Sequence, residues 1–306
     1  MSLCIFDKTS QYLYEKVKIF CMIATSPKYI ESRVVQQKNT WVKRCNNFVY
    51  LSSETNHSIP SIQVIPKDDY SLSMLKMRNG LKHVYKQHGD KYDYYLKCDD
   101  DAYLVMENLR GFLLNKDSNK AHFHGFKMNG LTADFGKLFV SGGPGFIMSK
   151  AAVKKIVEVG FDDPKYCTQE DNVPEDVHFA KCFERLNVTF GEARDSRGGL
   201  LIVPVSPGEI ANPIKDETRV AWFRGVSYYK YDPGTKSMAD FPIAFHYVTG
   251  NEQYALDYLL YHASVLGRQS RLFLDKNALT QDEDFVERVK KIKEFTKRNY
   301  NNTGGV

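Results

Sequence analysis

The chain has 306 residues, with 42 Lys and Arg against 37 Asp and Glu, a formal net charge of +5. That excess is too small for a nucleic-acid binder, which needs a concentrated basic stripe, and no run of five Lys or Arg occurs. At 42% hydrophobic and 26% charged residues the composition excludes disorder and fibre, and the absence of any window of ~18 apolar residues excludes a polytopic membrane protein.

The predicted elements run as follows. Residues 1–16 read as an N-terminal extension. They lack a basic stretch followed by an apolar one, so they form neither signal peptide nor anchor. The expectation is a cytosolic protein, or one whose anchor lies outside this sequence. Residues 17–24, VKIFCMIA, read as a buried strand closed by Thr25-Ser26-Pro27. Residues 29–42 carry Ile30, Val34, Val35 and Trp41 at helical spacing. Strands are predicted at 48–51 and 62–65, an amphipathic helix at 72–88 with Leu72, Leu75, Leu81 and Val84 on one face, and a strand at 92–96. This alternation predicts an α/β sheet flanked by helices. Glycines then crowd residues 125–145. Helices are predicted at 149–159, with Ser149 as N-cap, at 175–186 and at 252–265. Residues 206–242 read as loop-rich and aromatic, and 282–299 as a charged amphipathic helix at the periphery.

Six cysteines stand at 4, 21, 45, 98, 167 and 182, with no CxxC pair to suggest zinc. Their even number allows either disulfides or buried free thiols. Three Asn-X-Ser/Thr triplets, at Asn56, Asn187 and Asn301, tilt the balance slightly toward a secretory compartment.

Asp99-Asp100-Asp101 directly follows the aromatic strand. Adjacent carboxylates repel one another unless a cation neutralises them, and a hard divalent ion does so through oxygen ligands. Alternate residues of an extended segment share a face, so Asp99 and Asp101 point together and Asp100 away. The competing reading is a solvated acidic turn. The segment YDYYLKCDDDAYLVMENLRGFL resembles the DxD-centred segment of the inverting β1,3-glycosyltransferases, and within them is most similar to the core 1 β1,3-galactosyltransferases. The resemblance spans roughly residues 17–266. It includes KIFCMIATSP, QQKNTWVKRCN with the following LSSE, FVSGGPGFIMSK, PEDVHFAKCFERLNV and FHYVTGNEQYALDYLLYH.

The resemblance implies a GT-A fold, Rossmann-like, over residues 17–268, with 269–306 a charged helical tail. It implies transfer of galactose from UDP-galactose to the 3-hydroxyl of O-linked GalNAc on glycoproteins, with Mn²⁺ as cofactor. The metal would rest on Asp99, Asp101 and His246. Glu175-Asp176 on its own reads as helix N-terminal charge, which the macrodipole favours; the resemblance makes Asp176 the general base and Glu175 its neighbour. His246 on its own reads as a core histidine, although imidazole suits Mn²⁺. Donor contacts are carried over onto Thr25, Glu54, Lys76, Asp100 and Tyr247, and acceptor contacts onto Gly142, Gly143, Trp222 and Tyr228. The glycine cluster alone would be only a tight turn, and the aromatics alone only core. Cys21 with Cys45, and Cys167 with Cys182, match bridged positions, leaving Cys4 and Cys98.

Three departures stand out. Arg224 occupies the place of a second tryptophan, Ser237-Met238 the place of paired cysteines, and Tyr70 lies near the place of an arginine in the donor region. The implied location is the Golgi lumen, as a type II membrane protein. The implied partners are UDP-galactose, a GalNAc-Ser/Thr glycoprotein, a second copy of the chain and a dedicated chaperone, with no nucleic acid. The alternatives are a β1,3-transferase with another acceptor and a catalytically silent relative acting as a chaperone.

Overall fold

The computed structural model describes residues 8–130, 138–213, 218–263 and 285–300. The boundary expected at 268, Cys4 and the triplet at Asn301 lie outside them.

In chain order the elements are α1 (Lys8–Lys16), β1 (Ile19–Ala24), α2 (Val35–Asn39), β2 (Asn47–Ser52), β3 (Ser61–Gln63), α3 (Ser73–His88), β4 (Tyr94–Asp99), β5 (Tyr103–Leu104) and α4 (Met106–Leu113). The chain continues through β6 (His122–Gly125), β7 (Lys127–Asn129), β8 (Leu138–Val140), β9 (Phe146–Ser149), α5 (Lys150–Lys155), α6 (Glu175–Arg185) and β10 (Thr189–Phe190). It closes with β11 (Ile202–Val203), α7 (Pro207–Ala211), α8 (Thr218–Val226), β12 (Ala244–Phe245), α9 (Asn251–Tyr261) and α10 (Phe285–Tyr300).

Seven strands form one mixed sheet in the order β10-β6-β9-β4-β1-β2-β3. β1 pairs in parallel with both β2 and β4, while β9 runs antiparallel to β4 and β6. The expected mixed α/β sheet flanked by helices is thus observed. β1 is apolar throughout because both its faces are covered. Ile19, Cys21 and Ile23 enter one core, and Phe20 and Met22 the other. The same alternation along β4 sends Tyr94, Leu96 and Cys98 to the first core and Tyr95 to the second. Lys97 shares the Tyr95 side of the strand.

Several element boundaries differ from expectation. β4 starts two residues later than predicted and takes in Asp99 as its last residue. The buried stripe of α3 is Met74, Met77, Leu81 and Val84 rather than one built on Leu72 and Leu75. Methionine fills that helix–sheet gap as readily as leucine. Ser149 does cap α5 by accepting from Ala152 N–H, but the helix ends at Lys155 and widens into a π-turn over Ile156–Gly160. Within the loop-rich stretch the chain forms α7 and α8.

The described parts of the N-terminal extension and of the tail are α1 and α10. Leu13 of α1 and Ile292 and Tyr300 of α10 are buried, and α1, α4 and α10 pack on one another. Asn115 donates to the Lys293 carbonyl at 3.0 Å, and Lys116 to that of Tyr300 at 3.2 Å.

Cys21–Cys45 and Cys167–Cys182 are bridged, as the resemblance implied, and Cys98 is a buried free thiol. Peptide mapping of chain folded under oxidising conditions is expected to recover both bridges. Replacing Cys21 and Cys45 together by serine should cost about 2–4 kcal/mol in denaturant unfolding. Finding all thiols free in such protein would contradict this arrangement.

Candidate active site

A cleft of roughly 380 Å³ opens at the carboxyl ends of β1 and β4, where open α/β sheets place their ligands. The acidic triplet forms its floor. It is held by Gln37, fully buried, whose amide donates to the carbonyls of Asp99 and Ala102 at 3.1 and 3.0 Å. Two backbone bonds join the triplet to the other segments of the site. Asp99 N–H donates to the Gly143 carbonyl at 3.2 Å, and Val248 N–H to that of Asp101 at 2.8 Å.

The three carboxylates are divided between protein cations and the space beside His246. Asp99 accepts from Lys97 through Oδ1 at 2.8 Å and leaves Oδ2 4.0 Å from His246 Nε2. Asp101 accepts from Arg33 through Oδ2 at 3.1 Å and leaves Oδ1 3.0 Å from His246 Nε2. Asp100 uses both oxygens internally, accepting from Arg33 at 2.9 Å and from the Thr25 hydroxyl at 2.6 Å. Burial pushes its carboxyl up to about 6, against the pull of Thr25 and Arg33. Asp99 and Asp101 both turn an oxygen toward His246, but through a turn closed by Ala102 N–H to the Asp99 carbonyl at 3.1 Å rather than through strand alternation, and Asp100 also lines the cleft. Ligand atoms of Asp99, Asp101 and His246 come within 4.8 Å of one another. Asp101 Oδ1 and His246 Nδ1 are buried with no well-directed hydrogen bond. Beside Asp101 Oδ1 stands the His246 imidazole, and a cation between the two would satisfy both. Two carboxylate oxygens and an imidazole nitrogen form a donor set that suits a divalent ion such as Mn²⁺.

The acid pair reaches the same floor through Lys97. This lysine is buried and donates to Asp99, to Glu175 at 2.7 Å and to the Gly142 carbonyl at 3.2 Å. Burial opposes its charge, but Asp99 and Glu175 outweigh it and hold the ammonium well above its ordinary range. Burial likewise opposes the Glu175 carboxylate, and Lys97 keeps it ionised. Among the described residues, Asp176, in the first turn of α6, has no cation in hydrogen-bond contact; its Oδ1 accepts from Val177 N–H at 2.8 Å. Burial and the charge of Glu175 push its carboxyl up. Two neighbouring carboxylates with separated affinities for a proton are the usual arrangement of an acid–base centre.

Gly142 and Gly143 were expected to line an acceptor surface; the structure gives them a packing role behind the acid groups. A Cβ on Gly142 would lie 2.6 Å from Glu175 Oε1 and 3.0 Å from Lys97 Nζ. One on Gly143 would lie 2.0–2.6 Å from three atoms of the His246 ring. Gly143→Ala is therefore expected to displace His246, at a strain of about 1–3 kcal/mol. A lower melting temperature and a shifted His246 imidazole resonance would check this; an alanine variant with both unchanged would refute it.

Of the expected donor contacts, Thr25, Lys76, Asp100 and Tyr247 line the cleft. Thr25 and Asp100 are bonded to each other, and Lys76 donates to the Thr25 carbonyl at 2.7 Å. The Tyr247 ring lies tilted against His246, with centroids 3.9 Å apart and planes at 30°, and the residue has a left-handed backbone, φ 56°. Such strain in a non-glycine residue is concentrated at functional sites. Glu54 does not belong to this group: it sits exposed on the turn after β2, outside the cleft lining. Trp222 and Tyr228 are half-exposed and also lie outside that lining. Their segment meets the cleft through Arg219, whose guanidinium lies 4.0 Å from the Tyr247 ring centre. Tyr70, noted for replacing an arginine, stands exposed on the cleft wall.

Sequence reasoning missed Lys97 and Arg33. Lys97 had a signal, a lone charge inside the apolar run YYLKC. Arg33 had none, because its neighbours are distant in the chain.

A model of the Fringe-like family matches residues 14–194, a span that carries Arg33, Lys97, the acidic triplet and the acid pair. The chain belongs to the Fringe-like glycosyltransferase family. Glycoprotein-N-acetylgalactosamine 3-beta-galactosyltransferase 1 of Xenopus laevis is 26% identical over 265 residues, covering 87% of this chain and 72% of the frog protein. Chondroitin sulfate synthase 3 of Mus musculus is 27% identical over 190 residues, covering 56% of this chain and 21% of that protein. Beta-1,3-glucosyltransferase of Homo sapiens is 25% identical over 175 residues, covering 57% and 34%. The chain thus spans about a fifth and a third of the length of these last two proteins. Among the described residues, no helix is long and apolar enough to cross a membrane.

Proposed function

We propose that the chain is an inverting, Mn²⁺-dependent β1,3-galactosyltransferase of GT-A fold that moves galactose from UDP-galactose to the 3-hydroxyl of GalNAc-Ser/Thr. The observation that carries this reading is the convergence of Asp99, Asp101 and His246 in one cleft, joined by Lys97 to the pair Glu175-Asp176. The choice of donor and acceptor is supported by similarity to the frog galactosyltransferase along most of the chain.

Asp99, Asp101 and His246 would hold the metal, which would supply Lewis-acid stabilisation to the departing diphosphate. Single-displacement inversion requires one base and no covalent intermediate. Asp176 fills that role because its carboxylate is basic for its type and is not consumed by an ion pair. Glu175, kept ionised by Lys97, raises the basicity of Asp176 electrostatically. Proton transfer then runs from the acceptor hydroxyl to Asp176 as the new glycosidic bond forms. The same reading assigns residues 17–268 to the catalytic domain and the bridged cysteines to an oxidising, lumenal compartment.

A second reading keeps the chemistry and changes the acceptor. It is favoured by Arg224 and Ser237-Met238, which break the expected acceptor-loop pattern.

The test is a screen of UDP-sugars with purified protein on a GalNAc-peptide, with Mn²⁺ or EDTA. The proposal expects Mn²⁺-dependent UDP release with UDP-galactose and a β1,3-linked product. Turnover only with another acceptor selects the second reading. A complete lack of turnover with every donor overturns both and favours a silent chaperone.

A further inference from the structure

The cleft lining carries four side-chain cations, Lys28, Arg33, Lys76 and Lys97, and they are not equivalent. Lys97 spends its three protons on Asp99, Glu175 and the Gly142 carbonyl and is buried. Lys76 is bonded to the Thr25 carbonyl. Lys28 sits near the Tyr29 ring, 4.8 Å from its centre. Arg33 and Lys97 both line the cleft and touch a carboxylate that would hold the metal, but among the described residues Arg33 is the one of the two that keeps N–H groups without a hydrogen bond.

Its geometry is specific. One nitrogen, Nη1, donates to both Asp100 and Asp101, at 2.9 and 3.1 Å. Nε and Nη2 have no hydrogen bond among the described residues, and the side chain remains 27% exposed. The guanidinium rests 4.0 Å from the centre of the Tyr29 ring, which fixes its plane. Its backbone belongs to a π-type turn, Ile30–Val34, a wound segment that recurs at functional sites. An arginine needed only to neutralise Asp100 and Asp101 would not require a free edge facing the cleft.

We propose that Arg33 is a second cation for the diphosphate of the donor, acting beside the metal position. It orients Asp101 through Nη1 and offers Nε and Nη2 to a phosphate oxygen. The fork geometry of guanidinium suits both tasks at once, and a lysine cannot reproduce it. This inference rests on the nucleotide-sugar reading above.

The experiment titrates Mn²⁺ alone, then UDP and UMP at saturating Mn²⁺, into wild type, Arg33→Gln and Arg33→Lys by calorimetry. Near-ultraviolet circular dichroism of each variant reports folding. Loss of a charge-assisted contact should weaken UDP by about 10- to 100-fold in Arg33→Gln, with UMP affected several-fold less. Mn²⁺ affinity should fall clearly less than UDP affinity, because the glutamine amide can still donate to Asp101 and removing a positive charge beside the carboxylates favours the ion, offsetting part of the lost orientation. Arg33→Lys should recover only part of the UDP affinity. Equal UDP affinity in wild type and Arg33→Gln overturns the inference alone. So does a loss of Mn²⁺ affinity as large as the loss for UDP, which would make Arg33 a positioning residue for the metal carboxylate. A wild type that binds no Mn²⁺–UDP overturns the nucleotide-sugar reading together with this inference.

Discussion

Asp101→Asn is expected to abolish metal-dependent turnover while leaving the fold intact. Asparagine keeps the shape of the side chain and still offers an oxygen to Arg33, so the packing around the triplet survives. What it loses is the charge at the oxygen facing His246, 3.0 Å from Nε2. Loss of a group that merely supports a metal ligand costs about 10- to 100-fold, so loss of the ligand's own charge should cost at least about 100-fold. Calorimetric Mn²⁺ binding should fall in step with turnover, and near-ultraviolet circular dichroism should not change. Near-normal Mn²⁺-dependent activity in this variant would remove the metal assignment.

Asp176→Asn should lower kcat by about 10²–10⁴-fold, the usual consequence of removing a general base. UDP–Mn²⁺ affinity should change little, because the proposed metal ligands are other residues. The structure adds a pH dependence. Only the carboxylate form of Asp176 accepts a proton, and burial with the charge of Glu175 pushes its pKa up to about 7. Wild-type kcat should therefore fall about tenfold per pH unit below that value and level off above it. Glu175→Gln removes one of the two causes of that shift, so its acid limb should move to lower pH. If Asp176→Asn loses UDP binding together with turnover, Asp176 is a structural residue. If Glu175→Gln is the more damaging change and leaves the acid limb in place, the base is Glu175.

The coupling through Lys97 makes the two halves of the site interdependent. A buried ammonium shared by Asp99 and Glu175 means that damage to either acid strands charge beside the other. Combined Asp99 and Glu175 substitutions should for that reason be non-additive.

What the sequence determined by itself was whatever depends on neighbours in the chain. The apolar run 17–24 dictated a strand covered on both faces, and Ser149 dictated a helix start. Segment resemblance also carried His246 and both disulfide pairings, though they join distant parts of the chain. Tertiary structure decided what depends on distance in space. It turned Asp100 onto Thr25 and Arg33, left Glu54 outside the cleft, and set Gly143 under the His246 ring, where a side chain would collide. It also brought Lys97 and Glu175, 78 positions apart, to 2.7 Å. No periodicity or local spacing encodes such a contact. A buried charge takes its partner from whichever element the packing brings against it, and that is settled only when sheet and helices close.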